Sequence, residues 1–205
     1  MTFAPHLAWI ALATALWCAL HSLLITHAAR RLVRRLFPRW HVFDRLVYVG
    51  VSTASLALLA VWVRSQPAVT LWDWPGWWGI VRWLGLAEAG VLFWLGSRAY
   101  DGRAFLGLRQ AADWAAGREP RPAPFRTEGI LGVIRHPWYT ATLVVLVFCL
   151  PVTDVNLVWR AVLAVYTVVG TELEERKLLR DVGPAYAAYR ARVPRFLPLP
   201  FRRRS

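Results

Sequence analysis

Charged residues are scarce in this sequence, and acidic ones are the scarcest. Only 18% of its 205 residues are Asp, Glu, Lys or Arg, whereas a soluble domain carries roughly a quarter. Asp and Glu number 12, against 25 Lys and Arg. Because 57% of the residues are hydrophobic, this composition argues against an ordinary soluble domain and indicates a protein whose solvent is a lipid bilayer.

Cysteine is also rare, and residues that bind metals do not cluster. The two cysteines, Cys18 and Cys149, lie in apolar runs. Without metal-ligand spacing they are predicted to pack as small apolar groups. No Ser/His/Asp, Cys/His or metal-binding constellation is apparent. The sequence therefore predicts no metal site.

Long uncharged runs supply five predicted membrane spans. A spanning helix needs about 20 mostly apolar residues, and five segments meet or approach that length. They are residues 6–28, 44–64, 77–97, 138–152 and 155–172. The fourth is short and could form one arm of a tight hairpin with the fifth. We predict an all-α fold, an integral membrane bundle of about five transmembrane helices with a cytoplasmic C-terminal cofactor-binding region.

No internal repeat or low-complexity tract divides the chain, so residues 1–205 are predicted to form a single integral membrane domain. Residues 1–97 would hold three N-terminal spans. Residues 98–128 would form a cytoplasmic loop. Residues 129–198 would then form a cofactor-binding half with the last two spans.

The positive charge is distributed unevenly between the loops. Arg and Lys collect in the 29–45 loop, the 98–137 loop and the C-terminal tail, while connections 65–80 and 152–156 contain none. This positive-inside pattern puts the N-terminus outside and the C-terminus in the cytoplasm, as expected of a multi-pass protein of a bacterial inner membrane. The net charge of +13 is then a topology signal, so the predicted partner is the lipid bilayer and not a nucleic acid.

Arg135-His136-Pro137 marks the predicted start of the fourth span. Proline suits the first position of a helix, and the free N–H groups and positive dipole end there favour an anion. Arg135 and His136 could add hydrogen bonds to a carboxylate, while Gly129 and Gly132 permit close approach of the backbone. The alternative is a basic residue and a structural histidine at a membrane boundary.

Three carboxylates, Glu172, Glu174 and Glu175, stand at the inner end of the fifth span. They oppose the positive-inside trend, and the dipole near a helix C-terminus disfavours them. A salt-bridge network would compensate them, and so would a bound cation. An anion site at His136 beside a cation site at Glu174 would suit a zwitterion such as an amino-acid moiety.

Three motifs in the last third of the chain occur in a characteristic order. They are Gly129–Tyr139, Glu174-Glu175 and Gly183-x-x-Tyr186-x-x-Tyr189-x-x-x-Val193-Pro194. Together they resemble the C-terminal half of isoprenylcysteine carboxyl methyltransferases and phospholipid N-methyltransferases, over about residues 126–198. In those families an Arg-His-Pro-x-Tyr motif, a Glu pair and a tyrosine motif ending in Val-Pro follow one another.

A second likeness lies nearer the N-terminus. His21-Ser22-Leu23-Leu24 and Gly107-Leu108-Arg109-Gln110 resemble the nurim-like branch of the same superfamily. Within that branch the chain is similar to the membrane methanethiol S-methyltransferases.

These resemblances imply a membrane methyltransferase that uses S-adenosylmethionine and methylates a small or lipophilic acceptor, such as a thiol. The implied cofactor-binding residues are Gly129, Leu131, Gly132, His136, Pro137, Tyr139, Glu174 and Glu175. Arg135 and Glu175 are the implied catalytic residues. The implied substrate contacts are His21, Arg109, Gln110, Tyr189 and Arg192.

Two other functions fit the same pattern. Membrane reductases of the sterol type, which use NADPH, have a loosely similar C-terminal pattern. The Glu pair favours the methyl donor, because the 2′-phosphate of NADPH would prefer arginine. A non-catalytic nurim-like protein is the third possibility, since a fold does not by itself determine a function.

Overall fold

The computed structural model describes residues 5–38, 41–118, 125–149 and 151–198. The described residues are 76% helical, and the extended elements among them are two short strands, β1 (Thr70–Trp72) and β2 (Val152–Thr153). The α-helices described are α1 (Pro5–Leu24), α2 (His27–Leu36), α3 (Asp44–Arg64), α4 (Trp78–Ala99), α5 (Gly102–Leu106), α6 (Leu108–Ala115), α7 (Pro137–Phe148), α8 (Asp154–Asp181) and α9 (Pro184–Arg192). The all-α prediction is confirmed.

Three helices have the length and apolar composition of membrane spans: α1, α3 and α4. They correspond to the first three predicted spans. Helix α1 ends at Leu24 and not at residue 28, because Thr26 starts a new helix there. The Thr26 hydroxyl accepts a hydrogen bond from Ala29 N and so caps α2, satisfying one of the free donors of that helix.

The segments predicted as the fourth and fifth spans form two helices of very different length. Helix α7 has 12 residues, about 18 Å at 1.5 Å per residue, which is short of a hydrocarbon core of about 30 Å. Its principal packing partner among the described helices is α4 and not α8. Helix α7 therefore packs mainly against α4, and not against α8 as the arm of a hairpin would. Helix α8 has 28 residues and continues beyond the predicted end at 172.

The continuation of α8 places the Glu pair inside a helix. Glu174 and Glu175 lie more than one turn before its end at Asp181. The helix dipole acts mainly within the last turn. The predicted conflict between these carboxylates and a helix C-terminus is therefore wrong, and their compensation must be sought in neighbouring side chains.

The chain divides into two compact units, and the first comprises residues 1–69, 101–123 and 153–162. Its core joins the ends of three helices through Ile10, Val63 and Val155. Helices α5 and α6 meet at Gly107, whose φ of 85° is a left-handed conformation that favours glycine. A Cβ at Gly107 would also lie 2.7 Å from the backbone nitrogen of Leu46, so both geometry and space require glycine here.

The second unit comprises residues 70–100, 124–152 and 163–205. Helices α4 and α7 pack closely along each other, with Gly96 of α4 against the Trp138 ring. Arg82 closes the far end of α7, where its guanidinium donates to the carbonyls of Phe148 and Cys149, each at 3.0 Å. These carbonyls have no intrahelical donor, which explains why the helix can end there.

A sharp bend after α8 returns the chain to the start of α7. Gly183, with a φ of 71°, separates α8 from α9. Helix α9 then packs through Tyr186, Tyr189 and Val193. The tail that follows runs beside residues 135–140, which positions the site.

Candidate functional site

The site is built where the tail after α9 pairs with the chain entering α7. The backbone N–H groups of Arg135 and His136 donate to the carbonyls of Pro194 (2.9 Å) and Arg195 (3.2 Å). The Thr140 hydroxyl also lies 3.2 Å from the Phe196 carbonyl. Helix α7 begins at Pro137, as predicted.

Glu175 is the centre of a buried ionic cluster. Its side chain is fully buried, and three guanidinium groups reach its two oxygens: Arg135 at 2.6 Å, Arg195 at 2.9 Å and Arg190 at 3.2 Å. Burial by itself raises the pKa of this carboxyl, but hydrogen bonds from Arg195 and Arg135 outweigh burial and hold the pKa at about 2. Glu175 is therefore ionised at neutral pH.

The Arg135 guanidinium donates hydrogen bonds to a carboxylate and to two backbone carbonyls of the protein. Its Nε and Nη2 donate to Glu175 Oε1 at 2.9 and 2.6 Å. Its Nη1 donates to the carbonyls of Arg190 and Val193. Together these contacts join the entry to α7, helix α8 and the end of α9. This geometry fits a clamp that fixes the site.

His136 is buried beside the same carboxylate, with its Nε2 3.1 Å from Glu175 Oε1. Burial lowers the pKa of His136, and the charges of Glu174 and Glu175 offset that effect only in part. The imidazole is therefore neutral at pH 7. The carboxylate can only accept, so we assign the hydrogen to Nε2, which leaves the acceptor lone pair on Nδ1.

Glu174 has no arginine partner of this kind in the described part of the chain, and its carboxylate instead forms a hydrogen bond with the Tyr139 hydroxyl. Its Oε2 is buried and has no hydrogen-bond partner among the described residues. Its charge acts on the side chains of Tyr100, Tyr139 and His136. Buried polar atoms are normally paired, so an unpaired carboxylate oxygen indicates a place for a cation.

Arg190 and Arg195 are the cationic side chains of the cluster that stay partly exposed, at 36% and 26%. Arg195 also holds Glu172 at 2.6 Å. Sequence analysis placed both arginines in the basic tail and gave them no role. The signal that could have found Arg195 is its position directly after Val193-Pro194.

The 3-10 turn at Gly129–Gly132 supports the cluster through its backbone. The phenol of Tyr189 donates to the Leu131 carbonyl at 2.7 Å. Burial raises the pKa of Tyr189 to about 12, so the donor remains protonated. Gly129 has a φ of 62°, which favours glycine, and the ring of Tyr139 lies 5.5 Å from that of His136.

Three of the predicted substrate residues lie in the first unit. His21 Nε2 lies 2.7 Å from the Tyr48 hydroxyl and its Nδ1 3.2 Å from Ser52 Oγ. Arg109 pairs with Asp101 at 2.6 Å, and Gln110 donates to the Ala104 carbonyl at 3.1 Å. The last two contacts tie α6 to the start of α5.

Arg192 lies on the exposed side of α9, where its Nε donates to the Ala188 carbonyl at 3.3 Å. Of the predicted site residues, the second unit thus brings Arg135, His136, Glu174 and Glu175 together. No group of His, Cys, Asp and Glu able to hold a metal ion occurs in the parts of the chain that the structure describes.

The three apolar helices of spanning length define the class as a helical membrane protein. A methanethiol S-methyltransferase of Bradyrhizobium diazoefficiens is 30% identical over 192 residues, which cover 90% of this chain and 70% of that protein. An enzyme of the same name from Crocosphaera subtropica is 28% identical, over 87% of this chain and 69% of its own length. Another from Pseudomonas deceptionensis is 27% identical, over 89% of this chain and 69% of its own length.

The chain therefore belongs to the methanethiol S-methyltransferase family, which is isoprenylcysteine methyltransferase-like. The resemblance seen in the motifs is confirmed. No protein-family model matches the chain. No solved structure matches it either.

Proposed function

We propose that this protein transfers a methyl group from S-adenosylmethionine to methanethiol or another small thiol. The relatives are named for that acceptor, and the motifs of the second unit resemble those of methyltransferases that use this donor. The observation that carries the proposal is the buried Oε2 of Glu174, which has no hydrogen-bond partner among the described residues, next in sequence to Glu175 with its partly exposed partners Arg190 and Arg195.

The methionine end of the donor is a zwitterion, and the cluster offers both complementary charges. Arg190 and Arg195 are partly exposed and would hold the carboxylate through charge-assisted hydrogen bonds. Glu174 would face the cationic part. The Nδ1 lone pair of His136 could accept a further hydrogen bond, while Arg135 and Glu175 would position these groups.

The donor supplies an electrophilic methyl group on a positively charged sulfur. The acceptor thiol would first lose its proton to solvent, because the thiolate is the nucleophile. Its sulfur would then bond to the methyl carbon as the bond from that carbon to the donor sulfur breaks, and the donor would leave as a neutral thioether. For such a displacement the protein mainly needs to hold the two reactants in register, which can supply a large part of the rate enhancement. A rigid, buried clamp suits that role.

We further propose five spans, with the N-terminus outside and the site on the cytoplasmic side. The three long apolar helices support the first half of this topology, and the uneven distribution of Arg and Lys supports the orientation. The donor would then bind from the cytosol.

Equilibrium binding to the purified protein in detergent tests the donor. We expect S-adenosylhomocysteine and S-adenosylmethionine to bind, and Glu174→Gln to weaken S-adenosylmethionine at least about tenfold, since hydrogen bonds and contacts of charged groups are worth roughly 1.5–3 kcal/mol. Glu128→Gln is the matched control, because that carboxylate is exposed. Retention of NADPH in place of the methyl donor would overturn the proposal, and binding of neither would favour a non-catalytic protein.

A further inference from the structure

Tyr100 lies at the edge of the cluster, immediately after α4. Its ring packs on Trp138 with the centroids 4.9 Å apart. Its hydroxyl donates to the Arg135 carbonyl at 3.4 Å. Helix α4 and the entry to α7 thus fix this phenol between them.

Trp138 is itself held in place. Its Nε1 donates to the Phe93 carbonyl at 3.1 Å, and Gly96 leaves the space that the indole fills. The aromatic pair of Tyr100 and Trp138 is therefore part of the packed α4–α7 contact. A ring in such a contact loses little freedom when a ligand arrives.

The same phenol lies in the field of Glu174. Burial raises the pKa of Tyr100, and the charge of Glu174 raises it further. The Tyr139 hydroxyl forms a hydrogen bond with Glu174, and its ring lies 5.5 Å from the ring of His136. Glu174, whose buried Oε2 has no hydrogen-bond partner among the described residues, thus interacts with both phenols and with the His136 imidazole.

We propose that Tyr100 and Tyr139, together with Glu174, form the subsite that recognises the positively charged sulfur of the methyl donor. This inference rests on the proposed function. A trialkyl sulfonium has no hydrogen to donate, so it cannot use an ordinary acceptor. It is attracted to aromatic faces and to negative charge, as quaternary ammonium groups are.

This arrangement has a consequence for turnover. After transfer the donor sulfur is a neutral thioether, so the attraction to the rings and to Glu174 disappears at that atom. The carboxylate, ammonium and adenosine contacts remain. Tyr100 should therefore favour the charged donor over the demethylated product.

Paired binding measurements test the subsite, because S-adenosylmethionine and S-adenosylhomocysteine differ at this sulfur. We expect Tyr100→Leu to weaken S-adenosylmethionine about tenfold, the size of a desolvated cation–π contact, and to change S-adenosylhomocysteine less than about twofold. Tyr100→Phe keeps the ring and should stay close to wild type. Trp94→Leu is the matched control, because it removes an exposed ring from α4, the helix that ends just before Tyr100.

Each outcome decides something. Equal weakening of both ligands by Tyr100→Leu, or no weakening of either, would overturn the subsite while leaving donor binding intact. If Tyr100→Leu does not fold, Glu174→Gln decides the matter: it must weaken S-adenosylmethionine more than S-adenosylhomocysteine, and an equal effect on both assigns Glu174 to the ammonium instead. Failure of the wild-type protein to bind either ligand contradicts the proposed function itself.

Discussion

Arg135 Nη2 lies 2.6 Å from Glu175 Oε1, and both side chains are buried. The same carboxylate also accepts from Arg190 and Arg195. Glu175 therefore contacts three cations that come from the α7 entry, α9 and the tail, and Glu172 shares one of them, Arg195. Its neighbour Glu174 has a buried oxygen with no such partner among the described residues, so two adjacent glutamates have different tasks.

Glu175→Gln should destabilise the protein strongly. Removing one partner of a buried ion pair leaves an uncompensated charge and costs about 3–5 kcal/mol. Glu174→Gln should leave stability nearly unchanged, because Oε2 has no hydrogen-bond partner among the described residues and the glutamine carbonyl can still accept from the Tyr139 hydroxyl. Thermal unfolding of both variants without ligand, in the same detergent, measures the difference. Equal melting temperatures would contradict the assignment.

The ionic cluster should make the protein sensitive to acid over a defined range. The pKa of Glu175 is held at about 2, below its ordinary value of 4.5. A carboxyl whose pKa is lowered by folding contributes fully above its unfolded pKa and loses that contribution as pH falls. We expect stability to decline from about pH 4.5 toward pH 2, measured by unfolding at a series of pH values. In Glu175→Gln this part of the decline should be absent, and a decline of unchanged size would argue against the cluster as its origin.

Gly96→Ala should loosen the contact between α4 and α7. A Cβ there would lie 2.4 Å from Cδ1 of Trp138, and that indole is anchored to the Phe93 carbonyl. Overpacking of this kind costs about 1–3 kcal/mol. Gly90→Ala in the same helix meets nothing within 4 Å, so it should be neutral or gain up to about 1 kcal/mol from helix propensity. Unfolding in detergent should rank Gly96→Ala below Gly90→Ala, and the reverse order would contradict the packing.

Two neighbouring tyrosines offer a matched pair on α9. Tyr189→Phe removes the donor to the Leu131 carbonyl and should cost about 1–3 kcal/mol, because a buried acceptor is left unsatisfied. The Tyr186 hydroxyl is buried without a partner among the described residues, so Tyr186→Phe should be neutral or stabilising. Melting temperatures measure both, and a larger loss in Tyr186→Phe would show that the roles are reversed.

The sequence predicted the parts of the fold that depend on long uncharged runs. The second span was predicted at 44–64 and α3 occupies Asp44–Arg64, while α4 differs from its prediction by one or two residues. The end of α1 was missed because the capping hydroxyl of Thr26 interrupts an apolar run. The length of α7 depends on Arg82, a contact across 66 residues that no local pattern contains.

The sequence predicted only those residues of the site that belong to recognisable motifs. The Glu pair was visible because carboxylates at a basic membrane boundary are unexpected. The different contacts of Glu174 and Glu175 could not be predicted, because they depend on the positions of Arg190 and Arg195 in the folded structure. Tyr100 carries no sequence signal, and its position follows from packing on Trp138.

The most direct measurement is of the methylated product. Purified protein is supplied with S-adenosylmethionine carrying a labelled methyl group and with methanethiol, and volatile products are identified by mass. We predict labelled dimethyl sulfide in the wild-type reaction, loss of most of it in Glu174→Gln, and its retention in Glu128→Gln. Absence of labelled dimethyl sulfide from wild-type protein that binds the donor would contradict the proposed acceptor.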